Sequence, residues 1–383
     1  MPRRIVTVSY TGLDAGGGVP KFNRDLHEAF PDRETQHFSW WDFPWHPEAD
    51  ERGETEWGRA RLLNEYLVRA RKVTSDDVVI ADGFWAAGLE HLPLAVSHSH
   101  GIWSHLTKED VDAGKPPDMP YHHLAQVEFR RRWTGMGKHL TAVSDFIAEQ
   151  MRLQWGFRVD RVINNGVDVK EFFSERRDPQ LRADLLRRFN CDFIAIHGVN
   201  DPGNANKWKD ENGRELVELV DADHILKGDG SFNKHPFFVE NRCMLICLDH
   251  LIEFQKIHRP ERLRSEMVRA ALSDADFVVH PSGYEGNSLF VLETLACGVP
   301  IVGYDVGLLY QIQKEGRGRA VGELLPRRER SPEATLGGVS RLLERIRRKD
   351  QSLDSRGVAL DFSLERFKSE WVSFVDDIER SAK

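Results

Sequence analysis

The sequence predicts an α/β protein of two domains, the first of them with a doubly wound parallel sheet. Three observations predict this fold class. Apolar, strand-like runs alternate with helical periodicity through the N-terminal half, which is typical of parallel sheets. A strand, a glycine turn and a helix follow one another again around residues 277–296. The length of 383 residues exceeds one ordinary core and fits two domains of about 150–200 residues each.

The N-terminal half begins with a predicted strand at Ile5–Tyr10, a glycine-rich loop and a helix that carries Phe22, Leu26 and Phe30 at helical spacing. Further strands are predicted at Val78–Ile80, Leu94–Ser97, Leu140–Val143 and Arg161–Ile163, with helices at roughly 58–72, 120–136 and 145–155. In such sheets ligands bind at the carboxyl ends of the strands. The loops that follow these strands are therefore the candidate binding segments.

The most informative segment begins with an apolar run, Phe277–Val279, that predicts a buried strand. A turn with Gly283 and Gly286 follows, and then a helix whose apolar residues recur from Leu289 onward. The first amides of a helix are unpaired and its dipole favours an anion, so this helix start suits a phosphate.

Two carboxylates lie on either side of that helix start. Glu285 is in the turn, and Glu293 follows a little over two helical turns later. Because carboxylates repel phosphate, we expect them to accept hydrogen bonds from hydroxyl groups next to it. A nucleotide-sugar offers such hydroxyls on both sides of its diphosphate, on the sugar and on the ribose.

The whole segment, HPSGYEGNSLFVLETLACGVPIV from His280 to Val302, resembles the Glu-x7-Glu signature of retaining glycosyltransferases with the GT-B fold, particularly family 4 (group 1). The resemblance implies two Rossmann-like domains with an interdomain cleft, and transfer of a sugar from a nucleoside-diphosphate-sugar to an acceptor hydroxyl without a metal. It implies that Glu293 contacts the ribose and Glu285 the sugar. The diphosphate would lie at the helix start formed by Asn287, Ser288 and Leu289.

A second family hallmark, TAVSD at Thr141–Asp145 followed by VINNGVDVKEFF at Val162–Phe173, marks the end of the first domain. The implied domains are an acceptor domain over 1–173, a linker over 174–190 and a donor domain over 191–361. The helix predicted near the C-terminus, at 362–383, is amphipathic. In the family this helix crosses back to cover the first domain, which favours an architectural role over partner binding.

Two loops of the first domain are candidate donor contacts. Gly16–Gly18 follow the first strand, and the family closes such a loop on the donor diphosphate, which implicates Gly17 and Gly18. A flexible turn explains the same glycines equally well. At the next candidate strand end the family places a histidine near the donor sugar; His100 fits best, with His98 in reserve, although buried structural histidines are common.

The second domain departs from the family in its first loop. The family has an Arg and a Lys that hold the diphosphate, whereas this chain has Gly198-Val199-Asn200 and then Asn206-Lys207-Trp208-Lys209. Gly198 and Asn200 remain candidate donor contacts, and either Lys207 or Lys209 is the candidate cation. With Val199 at the Arg position, either another cation substitutes or the activity is weak or altered.

Composition limits the partners. The net charge of −8 gives no reason to expect nucleic acid. No apolar run approaches the roughly 20 residues that span a bilayer, so at most a peripheral membrane contact is expected. The four cysteines lack metal-site spacing and fit a reducing cytoplasm. We expect no metal and no cofactor beyond the nucleotide-sugar.

The acceptor is not specified by the sequence, although two runs could touch it. The aromatic run HFSWWDFPW at 37–45 could stack on a sugar or form a core strand. The basic run Arg130–Arg132 with Lys138 could touch anionic lipid or a phosphorylated acceptor, although a solvated helix face is the better explanation. Two alternatives to a transferase stay open. One is a GT-B epimerase or phosphorylase, and the other is a weakly active donor-binding subunit.

Overall fold

The computed structural model describes residues 2–15, 17–43, 56–101, 139–172, 178–197, 236–248, 251–252, 264–283 and 285–382. The chain divides into two compact units. The first comprises Met1–Gly166, Tyr284–Ser288 and Leu364–Lys383, and the second comprises Val167–Gly283 and Leu289–Ser363. Within the described ranges, no helix combines the length and apolarity that a bilayer crossing needs.

The first unit contains a six-stranded parallel sheet in the order β2-β1-β3-β4-β5-β6. Most of its strand residues are buried, as in parallel sheets covered on both faces. Its elements in chain order are β1 (Ile5–Ser9), α1 (Gly18–Glu28), β2 (Thr35–Ser39), α2 (Glu56–Arg69), β3 (Val78–Asp82), β4 (Ala95–Ser99), β5 (His139–Ala142), α3 (Asp145–Trp155) and β6 (Arg161–Val162).

The second unit contains a five-stranded parallel sheet in the order β11-β10-β9-β7-β8. From β7 the chain adds β8 on one side and β9 to β11 on the other, so the strand order reverses between β7 and β9. Its elements are α4 (Pro179–Arg188), β7 (Phe193–His197), α5 (Pro236–Glu240), β8 (Cys243–Cys247), α6 (Arg264–Asp274), β9 (Phe277–His280), α7 (Leu289–Ala296), β10 (Ile301–Tyr304), α8 (Gly307–Lys314), α9 (Gly318–Val321), β11 (Gly322–Leu325), α10 (Pro332–Arg347) and α11 (Ser355–Leu360).

The last helix, α12 (Leu364–Ser381), belongs to the first unit. Its apolar stripe is buried and includes Trp371, which is 0% exposed. The Trp371 ring lies 5.8 Å from the Phe22 ring of α1, so α12 completes a core that α1 and the sheet begin. The amphipathic helix predicted near the C-terminus is confirmed.

The predicted α/β class is confirmed, with two local differences. Strand β4 continues through Ser99, so His98 lies inside the strand rather than in the loop. The segment 174–190, predicted as a linker, contains helix α4, whose Leu185 is buried in the core of the second unit. The helix predicted at 120–136 lies outside the described residues. The predicted domain boundaries stay predictions.

Candidate functional site

The carboxyl edge of the first sheet begins with the loop after β1. Gly17 precedes α1 with a φ of 111°, a conformation that L side chains rarely adopt. A Cβ at this position would have no atom within 4 Å, so the backbone conformation and not crowding favours glycine there. Gly18 is the first residue of α1. The predicted pair therefore lies at a helix start, where backbone amides are available to an anion.

Two strands along, β4 brings two histidines and an aspartate together. His98 is fully buried, stacked on Phe22 with 4.7 Å between ring centroids, and its Nδ1 lies 2.9 Å from Thr141 Oγ1. His100 directly follows β4, and its side chain keeps 16% exposure. Its Nε2 lies 3.9 Å from Oδ1 of Asp82, the last residue of β3. This arrangement favours His100 over His98 as the ligand contact.

Burial controls the charges of this cluster. It lowers the pKa of His100 to about 3, and it lowers the pKa of His98 well below the ordinary value, with the neighbouring His100 adding to the effect. Both imidazoles are therefore neutral at pH 7. Burial raises the pKa of Asp82 to about 7. The cluster thus offers neutral imidazole and a carboxyl group that exchanges its proton near neutrality, both suited to hydrogen bonds with sugar hydroxyls.

The turn before α7 packs with the first unit. Gly286 lies against the backbone carbonyl of His100, so closely that a Cβ would overlap the carbonyl oxygen. Asn287 is buried; its Nδ2 donates to Val143 O at 3.1 Å, and its backbone carbonyl accepts from Asn165 Nδ2 at 2.9 Å. These contacts fix the turn that carries Glu285 next to His100. The sequence predicted both segments without showing that they meet.

The second unit positions the remaining carboxylate. Strand β9 ends at His280, and α7 begins at Leu289, directly after Ser288. Along α7, Val291, Leu292 and the residues from Thr294 to Ala296 are buried, whereas Glu293 is only partly buried. Glu293 is therefore more accessible than its two neighbours in α7, Leu292 and Thr294.

A cation that the sequence did not single out lies beside the same strand end. The guanidinium of Arg330 lies over Gly283, where any Cβ would overlap it. Its loop is anchored because Arg327 N donates to Asp305 Oδ1 at 2.6 Å and Ser331 N donates to Tyr304 Oη at 3.1 Å. The basic run 327–330 after β11 was the available signal. Its position at the carboxyl end of β9 required the three-dimensional structure.

Four predicted site residues, Gly198, Asn200, Lys207 and Lys209, lie outside the described residues. In the part of the chain that is described, no three His, Cys, Asp or Glu side chains are grouped to hold a metal ion. The described free cysteines, Cys191, Cys243 and Cys297, are all buried.

Comparison with known proteins adds a family match over part of the chain. Residues 244–345 match the family described as glycosyl transferases group 1, and this segment runs from β8 to α10 with Glu285 and Glu293 inside it. A search of curated protein sequences found no significant match.

Solved structures resemble the whole chain at low identity. Anabaena HepE, solved with UDP, is 15% identical over 98% of this chain and 100% of its own, with a TM-score of 0.59, and it has also been solved with UDP-glucose. Sucrose-phosphate synthase from Thermosynechococcus elongatus is 13% identical over 99% and 100%, with a TM-score of 0.66. A UDP-forming α,α-trehalose-phosphate synthase from Burkholderia vietnamiensis is 12% identical over 100% and 98%, with a TM-score of 0.62. The chain therefore has the GT-B fold, and the fold and the group 1 segment together support a GT-B glycosyltransferase.

Proposed function

We propose that the protein is a retaining glycosyltransferase that moves a sugar from a nucleoside-diphosphate-sugar to an acceptor hydroxyl without a metal. One observation carries the proposal: the segment that matches the group 1 family holds Glu285 and Glu293 around a helix start at the carboxyl end of β9. That strand borders the point where the strand order reverses, and open α/β sheets bind their ligands at such points.

In this proposal Glu293 contacts the ribose of the donor. The diphosphate lies at the start of α7, formed by Asn287, Ser288 and Leu289. Glu285 and His100 contact the donor sugar. Further donor contacts are proposed from the amides of Gly17, Gly18, Gly198 and Asn200. Because HepE is solved with UDP and UDP-glucose, a UDP-sugar is the first donor to test.

In the proposed transfer, the charge of the leaving diphosphate must be neutralised, and no separate general base is needed for the acceptor proton. The acceptor oxygen bonds to the anomeric carbon as the bond from that carbon to the phosphate oxygen breaks. The leaving phosphate oxygen, on the same face, takes the acceptor proton. Lys207 or Lys209 neutralises the leaving diphosphate, and Arg330 is an additional cation for it. Such electrostatic stabilisation is usually the largest single contribution to catalysis.

The role of Arg330 has a direct test. Replacing Arg330 with Gln keeps most of its length and removes the charge. We expect kcat to fall at least tenfold, because a cation that stabilises the leaving group acts mainly in the transition state. The control is Arg348→Gln, which removes an exposed cation paired with Glu344 on the surface of α10. An unchanged kcat in Arg330→Gln would remove this residue from the proposal.

The activity itself is tested with a panel of UDP, GDP, ADP and dTDP sugars. A bound donor raises the melting temperature by mass action, so the preferred base is the one with the largest shift. The preferred donor is then incubated with saccharide acceptors, with and without EDTA, and NMR determines the anomeric configuration of the product. Retained configuration with full activity in EDTA is the expected result.

The same incubations separate the alternatives. An epimerase converts the donor without any acceptor. A phosphorylase is active only when inorganic phosphate is supplied, and it does not use the nucleotide part of the donor. Donor binding with no release of nucleoside diphosphate for any acceptor would favour a donor-binding subunit. A protein whose melting temperature responds to none of the donors would contradict the proposed function.

A further inference from the structure

The carboxyl edge of the first sheet has an aromatic side. Tyr10 directly follows β1, and Trp41 lies in the short 3-10 turn that follows β2, with the paired residues Ser9 and Ser39 bringing the two strand ends level. Trp41 is 47% exposed. The other large hydrophobic side chains exposed in the described part of the chain are aliphatic and lie on helices: Leu62, Val239 and Leu360.

Neighbouring aromatic residues support the exposed ring of Trp41. The rings of Tyr10 and Trp41 lie 5.4 Å apart, and Tyr10 lies 5.5 Å from the ring of Trp85, which is buried. Asn64 Nδ2 donates to the backbone carbonyl of Trp85 at 2.7 Å. In the turn itself, the carboxylate of Asp42 accepts from the amide of Ser39 at 2.7 Å. Because the surrounding core fixes the ring, a ligand that stacks on Trp41 meets a preorganised surface.

The polar side of the same edge is close. Strands β2 and β3 both flank β1, so their ends are two strand spacings apart, about 10 Å. Asp82 ends β3, and His100 follows the next strand, β4. A ligand across this edge meets the exposed ring of Trp41, which Tyr10 contacts at an interplanar angle of 67°, at one end and hydrogen-bonding groups at the other.

We propose that the exposed ring of Trp41, supported by Tyr10, binds a neutral sugar ring of the acceptor, a proposal that rests on the proposed glycosyl transfer. The π face of an aromatic ring is electron-rich and attracts the C–H face of a pyranose, whose hydroxyls lie at its rim. The acceptor hydroxyl then points along the edge toward Asp82 and His100. A purely apolar chain would use the aromatic end of this edge and leave its hydrogen-bonding end without a partner.

The test needs no turnover. Saturation-transfer NMR is recorded on the donor-free protein with cellobiose, maltose and methyl β-glucopyranoside, and with hexanol as an apolar probe. We expect transfer to the ring C–H protons of at least one saccharide. In Trp41→Ala we expect its Kd to rise about tenfold, whereas Trp41→Phe, which keeps a π face, and the exposed-leucine control Leu62→Ala should stay within about threefold of the wild type.

Three results would overturn the sugar site: no saccharide signal in the wild type, an unchanged saccharide Kd in Trp41→Ala, or a Trp41-dependent signal from hexanol alone. Calorimetry of donor binding to Trp41→Ala keeps this proposal separate from the proposed function. Donor affinity should equal that of the wild type. Donor binding that is intact while saccharides fail to bind contradicts the sugar site alone, whereas an absence of donor binding in the wild type contradicts the proposed function.

Discussion

At the residue scale, Glu285 and Glu293 are expected to have different roles, Glu293 in donor binding and Glu285 in turnover. Glu293→Ala should weaken donor binding about 10- to 100-fold, because it removes hydrogen bonds to a charged acceptor. Calorimetry with the preferred nucleotide-sugar measures this. Glu285→Ala should reduce kcat instead, while the circular dichroism spectrum persists. Glu344→Ala, at an exposed position on α10, is the matched control. Unchanged donor affinity in Glu293→Ala would disprove the ribose assignment.

Asp82 is a residue whose titration can be followed in the free energy of unfolding. Its pKa is about 7 in the folded protein, against 3.8 as the ordinary value, because of burial. Between these values the folded state binds more protons than the unfolded state, so this group makes the protein less stable as the pH rises from about 4 to 7.

Replacing Asp82 with Asn removes that dependence. We expect the stability of Asp82→Asn relative to the wild type to increase by about 2–4 kcal/mol between pH 4.5 and pH 8. Urea denaturation of both proteins at the two pH values measures the difference. A difference that is the same at both values would show that Asp82 titrates in the folded protein as it does in the unfolded chain.

At the scale of elements, the turn before α7 depends on one missing side chain. In Gly286→Ala the new Cβ would overlap the backbone carbonyl of His100, and a carbonyl in the backbone cannot swing away as a flexible side chain would. We therefore expect the turn to shift and kcat to fall at least tenfold, since small misplacements of catalytic groups are costly.

Gly337→Ala is the matched control for Gly286→Ala. It lies within α10, where a Cβ would make only an ordinary contact at 3.5 Å with the side chain of Arg341. Alanine is a better helix former than glycine, so this variant should be as stable as the wild type or slightly more so. Wild-type kcat in Gly286→Ala would show that the turn tolerates the displacement.

Elements with a clear period were predictable from the sequence, and their neighbours in space were not. The strand, turn and helix around Glu285 and the apolar stripe of α12 follow directly from local spacing. Helix α4 was missed because its many charged residues obscure the apolar pattern to which the buried Leu185 belongs. Asp82 and Arg330 were missed because their importance comes from strands and loops that are distant in the sequence and adjacent in the sheet.

At the scale of the whole molecule, stability of the first unit depends on its last helix. Trp371 is 0% exposed and packs on Phe22, so Trp371→Ala should lower the free energy of unfolding by about 3–5 kcal/mol. Urea denaturation followed by circular dichroism measures this loss. Trp371→Phe, which keeps an aromatic ring, should cost less than Trp371→Ala. A loss below about 1 kcal/mol in Trp371→Ala would show that the core closes without this side chain.

The composition of the first unit also has a consequence for biosynthesis. A ribosome synthesises the chain from its N-terminus at about 5–20 residues per second, and N-terminal domains generally fold first. Here the first 166 residues leave the ribosome without Trp371 and its neighbours on α12, which follow only after the second unit has been made. Until then we expect the nascent chain to expose the apolar surface that α12 later covers, and such surfaces are prone to aggregation. Of the two units, the first therefore begins to be synthesised earlier and is completed later.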